Sequence, residues 1–266
     1  MDATSTNTST TMSSTSTPAE TTALAINGIA TTAPAVTTSS YSSSTANCFE
    51  ILEQKVAKAK ETQLVEWSLK ISELEQRDRK NGLPLNGVSK DFVLLLKDYI
   101  STNHPDWTMA EFQAQYVKKV AIRFKCSLVN LMQVVLGMQF KPATIFVSHA
   151  WQYNNKRFLS CVGKLENTDS DHFWIDALTV NQFHNQHGFD WWSTTFLRCI
   201  KRIPKTVLIV FRYSNPIPLT RAWCLFEIFC THLASNDLEI VMDEQESRSF
   251  RAALEGGTYN FDNWVA

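Results

Sequence analysis

Apolar and polar positions divide the chain into segments of different character. Residues 1–47 consist mainly of Thr, Ser and Ala and contain no Lys or Arg, so they cannot bury enough apolar surface to offset the entropy lost on ordering. We predict a disordered Ser/Thr-rich tail there, with a phosphorylated or glycosylated tail as the alternative. From Cys48 to Lys80 apolar residues recur every three to five positions, which predicts a helix, and Asn81-Gly82 supplies its stop.

Further helical patterns follow in the same region. Ser89 begins a second predicted helix, and Thr108 and Glu111 have the spacing of a capping box that opens a third. Ser127 precedes a fourth run with apolar residues on one side. The segment 48–138 is therefore predicted to be a small all-helical region.

Beyond residue 138 the pattern changes to short apolar runs separated by polar turns. Four runs have the length and composition of buried strands: residues 143–147, 172–176, 206–211 and 238–242. Helical spacing lies between them, and Thr220 is placed to cap the helix before the last strand. This alternation predicts an α/β domain over 139–243, with a parallel sheet covered by helices on both faces. Residues 244–266 are predicted to be a helical and irregular extension.

Polar and aromatic side chains follow the first two predicted strands. In open parallel sheets ligands bind beyond the carboxyl ends of the strands. That rule selects four candidate ligand-binding residues: Ser148, His149, Trp151 and Asp176. The adjacent Ser148 and His149 are better placed for a backbone or phosphate contact than for a nucleophile and its base. Asp176 either hydrogen-bonds a ligand or caps the next turn.

One carboxylate stands within an otherwise apolar helical pattern. Glu227 lies in RAWCLFEIF, residues 221–229. Helical spacing groups it with four semi-polar neighbours: Trp223, Cys224, Cys230 and Thr231. We expect the large apolar residues around Glu227 to form the packing surface of the helix. Because an unpaired charge is costly to bury, Glu227 is either a functional carboxylate or a structural one that reaches water or a partner.

Two neighbours of Glu227 have their own alternatives. Arg221 binds a phosphate, pairs with Asp176 or is simply exposed near the helix start. Cys224, one turn before Glu227, is more typical of a packed thiol than of a nucleophile.

Composition limits the function without naming it. The chain has 25 basic and 26 acidic residues, so net charge gives no argument for binding nucleic acid or an anionic membrane surface. No apolar run reaches the roughly 18 residues of a membrane span, and the first residues do not resemble a secretory leader, so we predict a cytoplasmic protein. Six dispersed cysteines predict reduced thiols. The spacing of His184 and His187 does not fit a zincin, and we predict neither a metal site nor a glycine-rich phosphate loop.

Three motifs, in this order, resemble the Toll/interleukin-1 receptor (TIR) family. They are FVSHAW (146–151), FWID (173–176) and RAWCLFEI (221–228). WIDALTVNQ (174–182) is also similar to the fungal heterokaryon-incompatibility domain, in which the corresponding stretch reads close to WIDALCINQ. The combination is closest to a TIR-like group of microbial eukaryotes. The resemblance covers about residues 143–242 and implies a flavodoxin-like parallel sheet of four to five strands with flanking helices.

In enzymatic TIR domains the Glu of a Trp-Cys-Leu-x-Glu segment catalyses NAD+ cleavage, and the matching residue here is Glu227. The resemblance therefore implies an NAD+ nucleosidase that needs no cofactor and uses NAD as substrate, with a homo-oligomer formed through the TIR-like domain. Trp151 and Trp223 are candidates to stack on nicotinamide or adenine. A non-catalytic signalling adaptor and a nucleotide-sensing module are the alternatives.

The chain departs from the TIR pattern in three places. The loop after the second strand (177–193) and the SNPIPLT segment before Arg221 differ from those of a typical TIR domain. No fifth strand is recognisable, so the chain either ends before a further element or is a fragment of a longer protein.

Overall fold

The computed structural model describes residues 47–81, 84–165, 170–183 and 189–257, which form a mixed α/β structure. The predicted tail lies outside these residues except for Asn47, whose side chain accepts a hydrogen bond from Phe49 N and so caps the first helix. The helix stop at Gly82, both histidines of the discounted zinc motif and the segment 258–266 also lie outside the described residues.

A six-stranded sheet forms the centre, in the order β2-β1-β4-β3-β5-β6. Its strands are β1 Asn86–Ser89, β2 Lys141–Pro142, β3 Ile145–Ser148, β4 His172–Trp174, β5 Lys205–Ile209 and β6 Asp237–Val241. The four strands from β3 to β6 are parallel, whereas β1 pairs antiparallel with both β2 and β4. All four strands expected from apolar runs are present and parallel, so the prediction of an α/β fold is confirmed. The expected parallel sheet of four to five strands is wrong in extent, because β1 and β2 add two strands with antiparallel pairing.

Helices come before β3 along the chain and also alternate with the parallel strands β3 to β6. They are α1 Cys48–Lys58, α2 Glu61–Asn81, α3 Lys90–Asn103, α4 Met109–Phe112, α5 Lys118–Ala121, α6 Leu128–Leu136, α7 Asn155–Gly163, α8 Asp176–Thr179, α9 Phe189–Arg202, α10 Ala222–Leu233 and α11 Glu244–Glu255. A π-helical turn, Gln113–Val117, joins α4 to α5, and a 3-10 turn, Ile217–Thr220, precedes α10. None of the described helices combines the length and apolarity that crossing a membrane requires.

Helices pack on both faces of the sheet, and alternate residues of a strand contribute to the core on one face or the other. Ile145 and Val147 of β3 join a large core that includes residues of α1, α3, α6 and α7. Phe146, between them, joins a smaller core with Trp174 of β4 and with residues of α9 and α10. The helices before β3 thus share one continuous core with the sheet.

The region 48–138 is not all helical, because β1 lies within it and adds a strand to the sheet. The sequence of β1, NGVS, has no apolar run, so periodicity missed it. Gly87 permits the pairing: a β-carbon there would lie 2.9 Å from both Ala143 Cβ and Phe173 O. Only a residue without a side chain allows the backbones to approach so closely.

The single helix expected from Cys48 to Lys80 is also wrong, since α1 ends at Lys58 and α2 begins at Glu61. Ala59 between them is extended, with φ −65° and ψ 136°. The apolar spacing continues across this break, which explains why the pattern was interpreted as one helix.

Side-chain caps were predicted more accurately. Ser89 and Ser127 cap α3 and α6, and Thr108 and Glu111 form the expected capping box of α4. Thr220 does not cap α10: its Oγ1 donates to Ile217 O within the 3-10 turn, and Arg221 is the N-cap residue of α10, with no side-chain cap hydrogen bond.

Large apolar residues that were expected to be packed are exposed on the outer face of α10. Leu225, Phe229 and Leu233 are 47%, 54% and 54% exposed, whereas Glu227 is only 7% exposed. The predicted grouping of Glu227 with Cys224, Cys230 and Thr231 is confirmed, and these four are the buried residues of the helix. The expectation that all large apolar neighbours of Glu227 form the packing surface is therefore wrong.

Candidate functional site

A cleft of about 240 Å³ opens at the carboxyl ends of β3 and β4, beside the start of α10. It is lined by His149, Trp151, Asp176, Gln182, Phe196, Arg221, Trp223, Cys224 and Glu227. The parallel arrangement of β3 and β4 brings the ends of both strands to one edge of the sheet. Seven of the eight residues selected from the sequence line this cleft, and the eighth, Ser148, contacts Glu227.

Glu227 is the buried carboxylate of the cleft. It points toward the sheet because α10 is anchored there: Thr231 Oγ1 donates to Glu227 O at 2.8 Å and lies 2.9 Å from Thr206 Oγ1 of β5. Ser148 Oγ donates to Glu227 Oε2 at 2.5 Å. The alternative of a carboxylate on the exposed surface of the helix is thereby excluded, and within the described part of the chain Ser148 is the side-chain hydrogen-bond partner of Glu227.

Burial raises the pKa of Glu227 to about 8. Removal from water is the largest cause, because it disfavours the charged form. The Ser148 hydrogen bond and the charge of Arg221 act in the opposite direction, while the charge of Asp176 raises the pKa further. A carboxyl group that changes its charge near neutral pH in a cleft is a candidate for chemistry or for binding a cation.

Asp176 bonds to the turn that follows it and to a side chain that lines the cleft, and its role as a ligand contact stays a prediction. Its Oδ1 accepts from Ala177 N at 2.7 Å, which holds the first turn of α8. Trp151 Nε1 donates to Asp176 Oδ2 at 3.0 Å, and this bond fixes the indole as one wall of the cleft. His149 stacks on Phe158 with ring centroids 4.3 Å apart, and its Nδ1 lies 3.3 Å from Val147 O.

The start of α10 forms the opposite wall. Arg221 donates from Nη1 to Gln152 Oε1 at 2.7 Å, so the proposed pairing with Asp176 is replaced by this bond. Trp223 packs against Phe196, with ring centroids 5.8 Å apart. Cys224 Sγ contacts His149 O at 3.6 Å, and burial, followed by the nearby charge of Glu227, raises the pKa of the thiol to about 11. Cys224 is accordingly a neutral packed thiol at physiological pH, as its position suggested.

Two residues of the cleft were not selected from the sequence. Gln182 lies in the WIDALTVNQ motif, which was quoted only for its resemblance, and its Nε2 donates to Asp176 O at 3.1 Å. Phe196 was assigned only to a helix. The period of α9 predicts that Phe196 is apolar and packed, but not that its ring borders a cleft.

The turn that carries Gln182 is held in place by α2. Asn181 Nδ2 donates to Glu75 Oε2 at 2.8 Å, and Glu75 is 8% exposed. Glu75 Oε1 also accepts from Ser127 N at 3.2 Å and from Asn130 Nδ2 at 2.9 Å. The helices before the sheet therefore position one edge of the cleft.

A larger groove of about 510 Å³ lies between α7 and the turn from β6 to α11. Arg157, its central cation, is paired with Asp243 and Glu246. Since these charges already satisfy one another and no residue selected from the sequence lines the groove, the smaller cleft is the better candidate site.

Among the residues that the structure describes, no group of three His, Cys, Asp or Glu side chains is arranged to hold a metal ion. All six cysteines of the chain lie within the described residues, and each is a buried free thiol.

No protein-family model, no curated protein and no solved structure matches this chain significantly.

Proposed function

We propose that this protein is a TIR-like NAD+ nucleosidase, which cleaves the bond between nicotinamide and ribose. The observation that carries the proposal is the position of Glu227, a buried carboxylate in an aromatic-walled cleft at the carboxyl edge of a parallel sheet. The order of the parallel strands also supports the proposal. If β3, β4, β5 and β6 are numbered 1 to 4 along the chain, their order in the sheet is 2-1-3-4, which is the order of a flavodoxin-like sheet.

Cleavage of the nicotinamide–ribose bond requires one carboxylate and no general acid. When the glycosidic bond breaks, its electron pair moves to the pyridinium nitrogen, so nicotinamide leaves as a neutral molecule. Positive charge develops on the ribose as an oxocarbenium-like species. A carboxylate held beside it in a cleft of low water content stabilises that charge more strongly than it does in water. Water then attacks the ribose and loses a proton to give ADP-ribose, whereas attack by an adenine nitrogen gives the cyclic product.

Substrate binding prepares Glu227 for this role. In the empty cleft burial keeps its pKa at about 8, so the neutral form predominates at pH 7. The positively charged pyridinium favours the carboxylate and lowers its pKa, so binding releases a proton. Trp151 and Trp223 supply flat apolar surfaces on which the pyridinium ring stacks.

The size of the cleft suits part of the dinucleotide. Its volume of about 240 Å³ lies below the range of about 300–1,000 Å³ that is typical of sites for whole drug-sized ligands. We assign it to the nicotinamide riboside half. The diphosphate is assigned to the start of α10, where Arg221 lines the cleft and no side chain caps the helix.

The test is the release of nicotinamide from NAD+ by the purified full chain, measured over a wide range of protein concentrations because assembly completes many TIR sites. Glu227→Gln, which keeps the size of the side chain, is expected to abolish release. Glu73→Gln, on the exposed side of α2 and outside the cleft, is the matched control and is expected to retain activity. Absence of release from concentrated or assembled wild-type protein refutes the enzymatic proposal.

A second candidate function is favoured by one observation, the exposed apolar surface next to the cleft. Leu225, Phe229 and Leu233 of α10 lie on this surface, and β6 at the edge of the sheet exposes Leu238 and Ile240 by 41% and 58%. Such a patch on an edge strand and a helix is typical of an association surface. It suits a non-catalytic adaptor or a nucleotide-sensing module that acts by self-association.

Nicotinamide release by the wild-type chain separates the two functions, and Phe229→Asp tests the association surface because it places a charge in the patch without entering the cleft. If assembly is the function, sedimentation shows concentration-dependent oligomers that Phe229→Asp disperses and Glu227→Gln leaves intact. A wild-type chain that remains monomeric at high concentration contradicts the second candidate.

A further inference from the structure

Within the cleft, His149 has one nitrogen that the protein leaves without a partner. The residue is 6% exposed, and its Nδ1 lies 3.3 Å from Val147 O. A carbonyl oxygen only accepts, so this contact assigns the ring proton to Nδ1 and leaves a lone pair on Nε2. Burial, the largest influence, lowers the pKa of His149 and so favours this neutral form. Nε2 is buried and has no hydrogen-bond partner among the residues that the structure describes.

The unpaired Nε2 faces a second acceptor. Asp176 Oδ1 is 3.9 Å away, beyond the roughly 3.2 Å limit of a good hydrogen bond. The Asp176 carboxylate already accepts from Trp151 Nε1 and Ala177 N, as an ionised group does. Two acceptors therefore face each other across a gap in the wall of the cleft, and neither can donate to the other.

A ligand with two hydrogen-bond donors serves both acceptors: it supplies the donor that Nε2 lacks and adds one to Oδ1, which already accepts from Ala177 N. A single hydroxyl has one hydrogen and serves one of them, whereas a primary amide or a pair of adjacent hydroxyls serves both. A carboxylate or a phosphate, which brings further lone pairs, is repelled at this position. The chemistry thus selects a group that carries two donors and no negative charge, and in a nucleotide the neutral carboxamide and the ribose diol have this character.

We propose that His149 Nε2 and Asp176 Oδ1 form a recognition subsite for a paired-donor group, either the primary carboxamide or the ribose diol of the nucleotide. This inference rests on the proposed function only in its choice of ligand. It concerns binding and discrimination, and it assigns no part of bond cleavage to His149.

The test compares two pairs of small ligands, each pair differing in the donor group alone. Nicotinamide and 3-acetylpyridine, both neutral, differ by carboxamide against methyl ketone, and adenosine and 2′-deoxyadenosine differ by the diol. Each ligand is titrated into the full chain by ligand-observed NMR, with wild-type protein and the His149→Phe variant. Because a site built for a donor leaves its buried acceptor unpaired when the donor is absent, we expect about tenfold or greater preference for one donor-bearing member. His149→Phe is expected to abolish that preference.

The chain offers a matched control for His149. His172 is equally buried, and its Nδ1 likewise lies close to the carbonyl two residues earlier, Ser170 O, at 2.7 Å, but it does not line the cleft. His172→Phe should keep the ligand preference. His149→Gln, which returns an acceptor to the same region, should restore part of it.

The ring nitrogens of His149 give a readout that needs no variant. In ¹⁵N-labelled wild-type protein, the Nε2 resonance is expected to shift on adding the preferred ligand and not on adding its donor-free partner. The proposal is overturned if neither pair is discriminated, if the preference survives in folded His149→Phe, or if Nε2 does not respond and water alone occupies the gap. Since these are binding measurements, they decide the subsite even if the chain releases no nicotinamide from NAD+.

Discussion

Replacing Ser148 with alanine is expected to move the pH dependence of nicotinamide release to higher pH. The Ser148 hydroxyl donates to Glu227 at 2.5 Å and so favours the ionised carboxylate, which opposes the effect of burial on the pKa. If ionised Glu227 stabilises the ribosyl cation, kcat/KM for the free enzyme rises with pH through a limb near pH 8. Without the hydroxyl, the carboxylate loses its only side-chain donor among the described contacts.

The size of the shift follows from that single bond. A hydrogen bond to a charged group contributes about 1.5–3 kcal/mol, and one pKa unit corresponds to about 1.36 kcal/mol. The pKa of Glu227 in Ser148→Ala should therefore rise by about one to two units. At pH 7 the ionised fraction, and kcat/KM with it, should fall by roughly ten- to a hundredfold. Activity should recover as the pH is raised toward the new limb.

The assay is kcat/KM for nicotinamide release, measured between about pH 6 and 10 for wild-type protein and Ser148→Ala. Ser160→Ala, on α7 and outside the cleft, is the control and should show the wild-type profile. Superimposable profiles, a limb that moves to lower pH, or an equal loss at every pH would each refute this account. The last result would assign Ser148 a purely structural role.

Three further predictions concern stability. Glu227→Gln should raise the midpoint of thermal unfolding more at pH 8 than at pH 5. Folded Glu227 keeps its proton up to about pH 8, whereas the same carboxyl group in the unfolded chain loses it near pH 4.5. The stability of the wild-type protein therefore falls as the pH rises between these two values. Equal effects at both pH values would contradict this. Glu75→Ala should lower the free energy of unfolding by about 3 kcal/mol in urea titration, because three buried donors each lose one acceptor: the amides of Asn130 and Asn181, and Ser127 N. Glu75→Gln, which keeps one acceptor, should cost less, and equal costs would argue against the hydrogen bonds. Gly87→Ala should cost about 1–3 kcal/mol through overpacking against Phe173 O, and an unchanged urea midpoint would show that the strands separate freely.

Local signals were enough for most of the secondary structure. The four parallel strands follow from short apolar runs, and Ser89, Thr108 and Ser127 begin helices because each side chain accepts from a backbone N–H within its own first turn. β1 had no such signal. Its residues become a strand through pairing with β2 and β4, which are more than fifty residues away along the chain.

Periodicity did not predict which side of α10 is buried. Large apolar residues surround almost the whole helix, so the pattern does not select which side is buried. The semi-polar grouping around Glu227 was recognisable, but burial of that face depends on partners elsewhere. Ser148 and Thr206 come from β3 and β5, and both lie on the side of the sheet that α10 covers.

By itself, the sequence determined the α/β alternation, the edge of the sheet at which a site would form, and seven of the nine residues that line the cleft. The alternation, the edge and the residues at the strand ends follow from hydrophobic period and from the geometry of parallel strands, which are properties of short segments. The residues of α10 were selected because RAWCLFEIF places one carboxylate in an apolar run and resembles a TIR motif. Only the tertiary structure decided that Glu227 is buried, that Leu225, Phe229 and Leu233 are exposed, and that His149 faces Asp176 with an unpaired nitrogen. Those features depend on which surfaces meet when distant segments pack, and no local pattern contains that information.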